Sequence, residues 1–157
     1  MAEKNESAGE KILKIVIAVI FIPGGVIYGG WELYRYLKRK KPKKPKILII
    51  DDSETAQDKF VKELAGKATI LSAFTVEQAE KFFAANSDID VIAIDACVPG
   101  VEPTTTPLVR ELRRTFKGLM IAISGFRGYR QDLVEAGCDF GCVKEELCGK
   151  FLEFLKI

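Results

Sequence analysis

The sequence contains no histidine among its 157 residues, so the chain can be neither a histidine kinase nor a phosphohistidine carrier. Its four cysteines, Cys97, Cys138, Cys142 and Cys148, form no CxxC pair. With those spacings a zinc site is disfavoured, and free, largely buried thiols in a reducing compartment are the better reading. Repeats and low-complexity segments are absent apart from one basic run. Net charge is also small, at +2, but it hides an asymmetry. The basic run separates an apolar N-terminal stretch from a C-terminal part that holds most of the acids, and charge must be read segment by segment.

Charge is missing altogether from Ile15 to Trp31, seventeen residues in a row. A bilayer span takes about 20 apolar residues and about 17 at the short end. Ile12, Leu13, Leu33 and Tyr34 extend the apolar reach. The pattern predicts a tail over residues 1–14 and a single transmembrane helix over residues 15–37, kinked at Pro23-Gly24-Gly25, which lipid tolerates better than water does. Tyr28, Trp31, Tyr34 and Tyr36 suit the water interface. A cleaved signal peptide fits poorly, because Glu3, Glu6 and Glu10 mix with Lys4, Lys11 and Lys14 and no small-x-small cleavage pattern follows. A helix or hairpin docked on a partner is the alternative.

From Lys38 to Lys46 seven of nine residues are cationic. The positive-inside rule then puts the C-terminal part in the cytoplasm, with a basic linker over residues 38–45 at the inner membrane face, against anionic lipid. The same run can be read as a nucleic-acid tail, but its place behind an apolar span disfavours a nucleic-acid partner. A solvated, self-repelling linker is the plain reading and is compatible with anchoring.

Residues 46–157 are enough for one domain core, since domains typically run about 100–150 residues. Here polar residues stand where short apolar runs end. Asp51 and Asp52 follow Lys46–Ile50, Asp95 follows Val91–Ile94, Ser124 follows Leu119–Ile123, and Lys144 follows Phe140–Val143. As parallel strands of one sheet, these runs bring the polar groups together at the carboxyl edge, where open α/β sheets build their sites. Asp51, Asp52 and Asp95 supply the hard oxygen ligands that Mg²⁺ prefers. Asp95 is a carboxylate able to take a phosphoryl group covalently, and Ser124 and Lys144 would grip phosphoryl oxygens.

In this order the motifs resemble the response-regulator receiver domain of two-component signalling. Ile47 to Asp52 resembles its first strand and acidic pair, and Asp95-Ala96-Cys97-Val98-Pro99-Gly100 its phospho-acceptor turn. Ile121 to Gly125 resembles its fourth strand with the hydroxyl, and Ala136-Gly137-Cys138-Asp139 through Val143-Lys144 its fifth. The resemblance implies Mg²⁺ held by Asp51, Asp52, Asp95 and the carbonyl of Cys97. It also implies phosphorylation of Asp95 by a histidine kinase or phosphotransfer protein, and phosphate contacts from Ser124 and Lys144. The implied chemistry is self-assisted phosphoryl transfer and autodephosphorylation, that of a signalling switch more than a metabolic enzyme. With the last helix closing the sequence, output is expected through contact with a downstream protein.

Two positions depart from the family pattern. Glu145 replaces the proline usual after the lysine, and Gly141 replaces the switch aromatic three residues before it. Phe140 is one position earlier and, by strand alternation, should face the other side. The loop Val101-Glu102-Pro103-Thr104-Thr105-Thr106-Pro107 is longer than the family's common one and is a candidate partner or gating element. These departures keep open a pseudo-receiver scaffold that binds a partner without phosphorylation. A magnesium-dependent phosphatase with an aspartate nucleophile is a further alternative, but Cys97 stands where its acid-base aspartate belongs. Glu102, Arg127 and Arg130 near the same edge read as solvated surface charge.

The alternation of apolar runs predicts five strands (Lys46–Ile50, Ala68–Ala73, Asp90–Ile94, Leu119–Ile123 and Asp139–Val143) and five helices. The helices are a first one capped by Ser53 and ended by Gly66, then Val76–Ala85 capped by Thr75, Pro107–Phe116 capped by Thr106, Tyr129–Ala136 and Glu145–Leu155. The expected fold is α/β, a flavodoxin-like doubly wound parallel sheet of order 2-1-3-4-5.

Overall fold

Five of the apolar runs form five parallel strands in the computed structural model, which describes residues 43–156. The N-terminal tail, the predicted transmembrane helix over 15–37 and the start of the basic linker lie outside the described residues. Among the described residues, no helix is long and apolar enough to cross a membrane. The elements run β1 (Lys46–Ile50), α1 (Glu54–Glu63), β2 (Thr69–Ala73), α2 (Val76–Ala85), β3 (Val91–Asp95), α3 (Thr106–Thr115), β4 (Leu119–Ile123), α4 (Arg127–Ala136), β5 (Phe140–Cys142) and α5 (Lys144–Leu155). The sheet order is β2-β1-β3-β4-β5 with every pair parallel, the flavodoxin-like order expected from right-handed crossovers.

The near-continuous apolar character of β1, β3 and β4 is explained by their central places. They are buried almost throughout, whereas the edge strands β2 and β5 are partly exposed. Alternate side chains leave opposite faces of the sheet. Leu48, Ile50, Ile92, Ile94 and Met120 pack with Leu108, Val109 and Leu112 of α3 and Leu133 of α4. Ile47, Ile49, Val91, Ile121 and Ile123 pack with Phe60 of α1 and Leu147 and Phe151 of α5. Each fully buried side chain of this size contributes about 1.5–3 kcal/mol. The central strands are thus held from both faces, and their carboxyl ends form a fixed platform.

Two expected caps are in place. Ser53 Oγ accepts from the Ala56 N–H at 3.3 Å, and Thr75 Oγ1 accepts from Gln78 N–H at 3.2 Å while Gln78 Oε1 accepts from Phe74 N–H at 2.8 Å. The cap predicted at Thr106 is displaced by one residue. Thr105 precedes the first turn of α3, and because its backbone is already helical its hydroxyl makes no cap bond. Other boundaries shift slightly: β3 takes in Asp95, β5 shortens to three residues, α4 begins at Arg127 and α5 at Lys144.

Candidate functional site

The end of β1 buries Asp51 completely. Its N–H donates to Ala73 of β2 at 3.0 Å, which fixes the backbone, and its Oδ1 accepts from the Ser53 N–H and from Lys144 Nζ, both at 2.9 Å. Lys144 Nζ also lies 2.6 Å from Oδ2 of Asp95, whose Oδ1 accepts from the Cys97 N–H at 3.1 Å. Lys144 opens α5, beyond β5, and reaches across the end of β4 to place one ammonium between two buried carboxylates. Asp51, Asp95 and Lys144 therefore meet as the sequence pattern predicts.

Burial pushes the Asp51 carboxyl above its ordinary pKa, against the lowering effect of the hydrogen bonds from Lys144 and Ser53. Burial also works against the Lys144 ammonium, but its bonds to Asp95 and Asp51 outweigh it and hold its pKa above the ordinary lysine value. Desolvation thus drives the first shift, and the two carboxylates bonded to the ammonium drive the second.

Asp52 is less buried and turns to the loop after Asp95, where its Oδ2 accepts from the Gly100 N–H at 2.8 Å. As a result, among the described residues no three carboxylate or thiol side chains converge on one point as a ready metal cage. One observation does fit a cation. Asp51 Oδ2 is buried and lies 2.9 Å from Lys144 Nζ, yet without hydrogen-bond geometry, which leaves a buried acceptor unsatisfied. The side chains around it offer oxygen donors, the set that Mg²⁺ prefers. The Cys97 thiol donates to the Val101 carbonyl at 3.2 Å. All four cysteines are free, and burial raises every thiol, to about 12 for Cys138 and Cys148 and about 11 for Cys142. Raised thiol pKa values disfavour the reactive thiolate, and Cys138, Cys142 and Cys148 are buried packing groups.

At the end of β4, Ser124 is buried, its N–H donating to Cys142 of β5 at 3.3 Å and its Oγ accepting from the Phe126 N–H at 3.1 Å. The hydroxyl proton remains to donate. The loop after Asp95 is stitched back to its strand by the threonine run. Thr104 Oγ1 accepts from the Val98 N–H at 3.1 Å and donates to the Val98 carbonyl at 2.8 Å. The fully buried Thr105 turns its hydroxyl to the carbonyls of Asp95 at 2.7 Å and Ala96 at 3.1 Å. Thr105 thus holds the backbone of Asp95, a role that reading the run as a helix cap missed.

No family model matches the chain, and no curated protein matches its sequence. Solved structures match its fold. The signal receiver domain of a DNA-binding response regulator from Colwellia psychrerythraea 34H is 19% identical with a TM-score of 0.58, over 72% of this chain and 99% of that one. A two-component response regulator from Clostridium difficile is 21% identical with a TM-score of 0.62, over 71% and 96%. A response regulator receiver domain protein from Methanospirillum hungatei JF-1 is 20% identical with a TM-score of 0.59, over 71% and 94%. The fold is that of response-regulator receiver domains.

On this receiver fold the β4–β5 corner is built in its own way. Phe140 faces α5, as strand alternation predicts, with its ring centroid 4.9 Å from that of Phe154. Gly141, at the position of the expected aromatic, is covered by the stem of Arg130: a Cβ at 141 would lie 2.8 Å from Arg130 Cβ. Arg130 is therefore not the solvated charge the sequence suggests. It is half-buried on α4, with Nη1 donating to the Ser124 carbonyl at 2.6 Å. Glu102 and Arg127 are exposed, as expected.

Proposed function

We propose that the chain is a receiver phosphorylated on Asp95 by a phosphohistidine donor, with the phosphate altering affinity for a downstream protein. The observation that carries this reading is the Lys144 ammonium, 2.6 Å from Oδ2 of Asp95 and bonded also to Asp51. In the transfer an Asp95 oxygen attacks phosphorus, the P–N bond to the donor imidazole breaks, and the imidazole leaves. Lys144 then shifts from the carboxylate to a phosphoryl oxygen, and the Ser124 hydroxyl donates to another. Attack by water later returns phosphate and free Asp95. Asp51, Asp52, Asp95 and the Cys97 carbonyl would hold Mg²⁺, which when bound neutralises phosphoryl charge.

The test uses a small acyl phosphate with Mg²⁺. The chain should gain one acid-stable, alkali-labile phosphoryl group, and Asp95→Asn should gain none while remaining folded. Equal labelling of that variant would move the acceptor elsewhere. Anchoring belongs to the same proposal, on the strength of the charge-free stretch followed by the basic linker. The full chain should remain in the membrane pellet through high salt and leave with detergent, and recovery in the soluble fraction would remove the anchor.

A second reading is the unphosphorylated scaffold, favoured by the bond that ties Asp52 to Gly100 and by the bare Gly141. Absence of both labelling and beryllofluoride binding, together with retained partner binding in Asp95→Asn, would select it.

A further inference from the structure

Arg130 stands at the corner where this chain departs most from the receiver pattern. Its backbone N–H donates to the Phe126 carbonyl at 3.2 Å and its guanidinium to the Ser124 carbonyl at 2.6 Å. One residue thus holds both ends of the Ser124-Gly125-Phe126 turn. Its stem lies on Gly141, where an added Cβ would meet Arg130 Cβ at 2.8 Å, Cδ at 3.2 Å and Cγ at 3.3 Å. Because the nearest of these atoms is the root of the side chain, a larger residue at 141 cannot be admitted by a rotamer change of the guanidinium alone. The Phe126 ring is 71% exposed and packs on Tyr129 of α4 at a centroid distance of 5.4 Å. Ser124, its turn and the pair made by the exposed Phe126 and the half-buried Tyr129 are all tied to the first turns of α4.

We propose that Arg130 is a positioning residue that carries a change at Ser124 to the surface formed by Phe126 and Tyr129, with Gly141 kept bare to admit its stem. The inference rests on the reading that Asp95 is phosphorylated. When the Ser124 hydroxyl donates to a phosphoryl oxygen on Asp95, Ser124 is drawn toward β3 and takes with it the carbonyl that Arg130 holds. The guanidinium is a rigid planar fork, and its bond to the Ser124 carbonyl is charge-assisted and short. The displacement therefore passes to α4 instead of dissipating in the turn. A coupling made by one arginine takes the place of an aromatic at 141.

Fluorine NMR on the full chain in mild detergent tests this, with a trifluoromethyl-phenylalanine at position 126, where the exposed ring leaves room for the label. Spectra are recorded with and without Mg²⁺ and beryllofluoride, whose own bound fluorine signal reports occupancy. The parent chain should bind beryllofluoride and shift the label at 126. Arg130→Ala should bind it but lose most of the shift, and Arg130→Lys should restore part of it. Gly141→Leu, which evicts the stem while keeping the arginine, should behave as Arg130→Ala does. A full shift in Arg130→Ala with beryllofluoride bound overturns the coupling. Loss of beryllofluoride binding in Arg130→Ala and Arg130→Lys alone overturns it in favour of a purely structural role. A parent chain without a bound fluorine signal overturns the phosphorylation reading and the coupling with it.

Discussion

The carboxyl edge of the sheet has two corners built on different physics. At the ends of β1 and β3, buried charges are satisfied by one another: Asp51 and Asp95 share the Lys144 ammonium, which comes from 93 residues further along the chain than Asp51. At the ends of β4 and β5 a side chain bonds a backbone carbonyl, and a glycine supplies the room. The first corner is fixed by charge and tolerates little change of residue type. The second is fixed by shape, and two positions can change together. On the proposed reading, the chemistry is kept while the part that reports it is rebuilt.

The largest effect on this comparison should come from Lys144→Met, which strands two buried carboxylates. Breaking a fully buried pair costs about 3–5 kcal/mol. The Lys144 side chain is 32% exposed, so solvent screening lowers the expected loss at neutral pH to about 1–3 kcal/mol. The pH dependence has a definite sign. The folded-state pKa of Lys144 lies above 10.5, so its stabilisation is complete below that pH and disappears as pH rises through the folded value. The variant should lack that alkaline loss. The folded-state pKa of Asp51 lies above 3.8, so folded Asp51 takes up its proton first, and lowering the pH through that window favours the folded state at this group. The variant should recover part of its stability there. Denaturant midpoints across pH check both arms, and unchanged midpoints at neutral pH would mean that the ammonium does not balance the pocket.

The first corner was legible because each of its residues ends an apolar run, and short apolar runs are what hydrophobic periodicity marks. Sheet order followed from alternation and handedness, and the central strands were marked by their unbroken apolar character. The second corner was not legible. Arg130 looked like surface charge because its partner, the Ser124 carbonyl, is a backbone group that no residue pattern encodes. Gly141 was visible as a departure, but its cause lies on a helix eleven residues upstream. Thr105 was passed over for Thr106 because a run of three threonines offers several caps, and only the path of the loop decides which hydroxyl turns to the strand. Asp52 was read as a metal ligand beside Asp51, and its bond from the Gly100 N–H, which lies in the turn after Asp95, was not foreseen.

That difference between neighbouring aspartates gives the smallest and most discriminating prediction. Mg²⁺ held at the receiver edge as proposed would draw on Asp52, whose Oδ2 accepts from the Gly100 N–H, and would take over part of the hold of Lys144 on Asp51 and Asp95. Both are local side-chain changes against a fixed platform, so binding should stabilise the fold by ordinary linkage, about 1.4 kcal/mol at ten times the dissociation constant. The melting temperature should rise by several degrees. Asp52→Ala should abolish the rise yet change stability without Mg²⁺ by under about 1 kcal/mol, because the bond it removes is near the surface. Lys144→Met should show a larger rise than the parent chain, since a divalent ion replaces the missing charge between Asp51 and Asp95. A rise that survives Asp52→Ala would place the ion elsewhere, and a smaller rise in Lys144→Met would mean that the lysine helps to bind the metal instead of standing in for it.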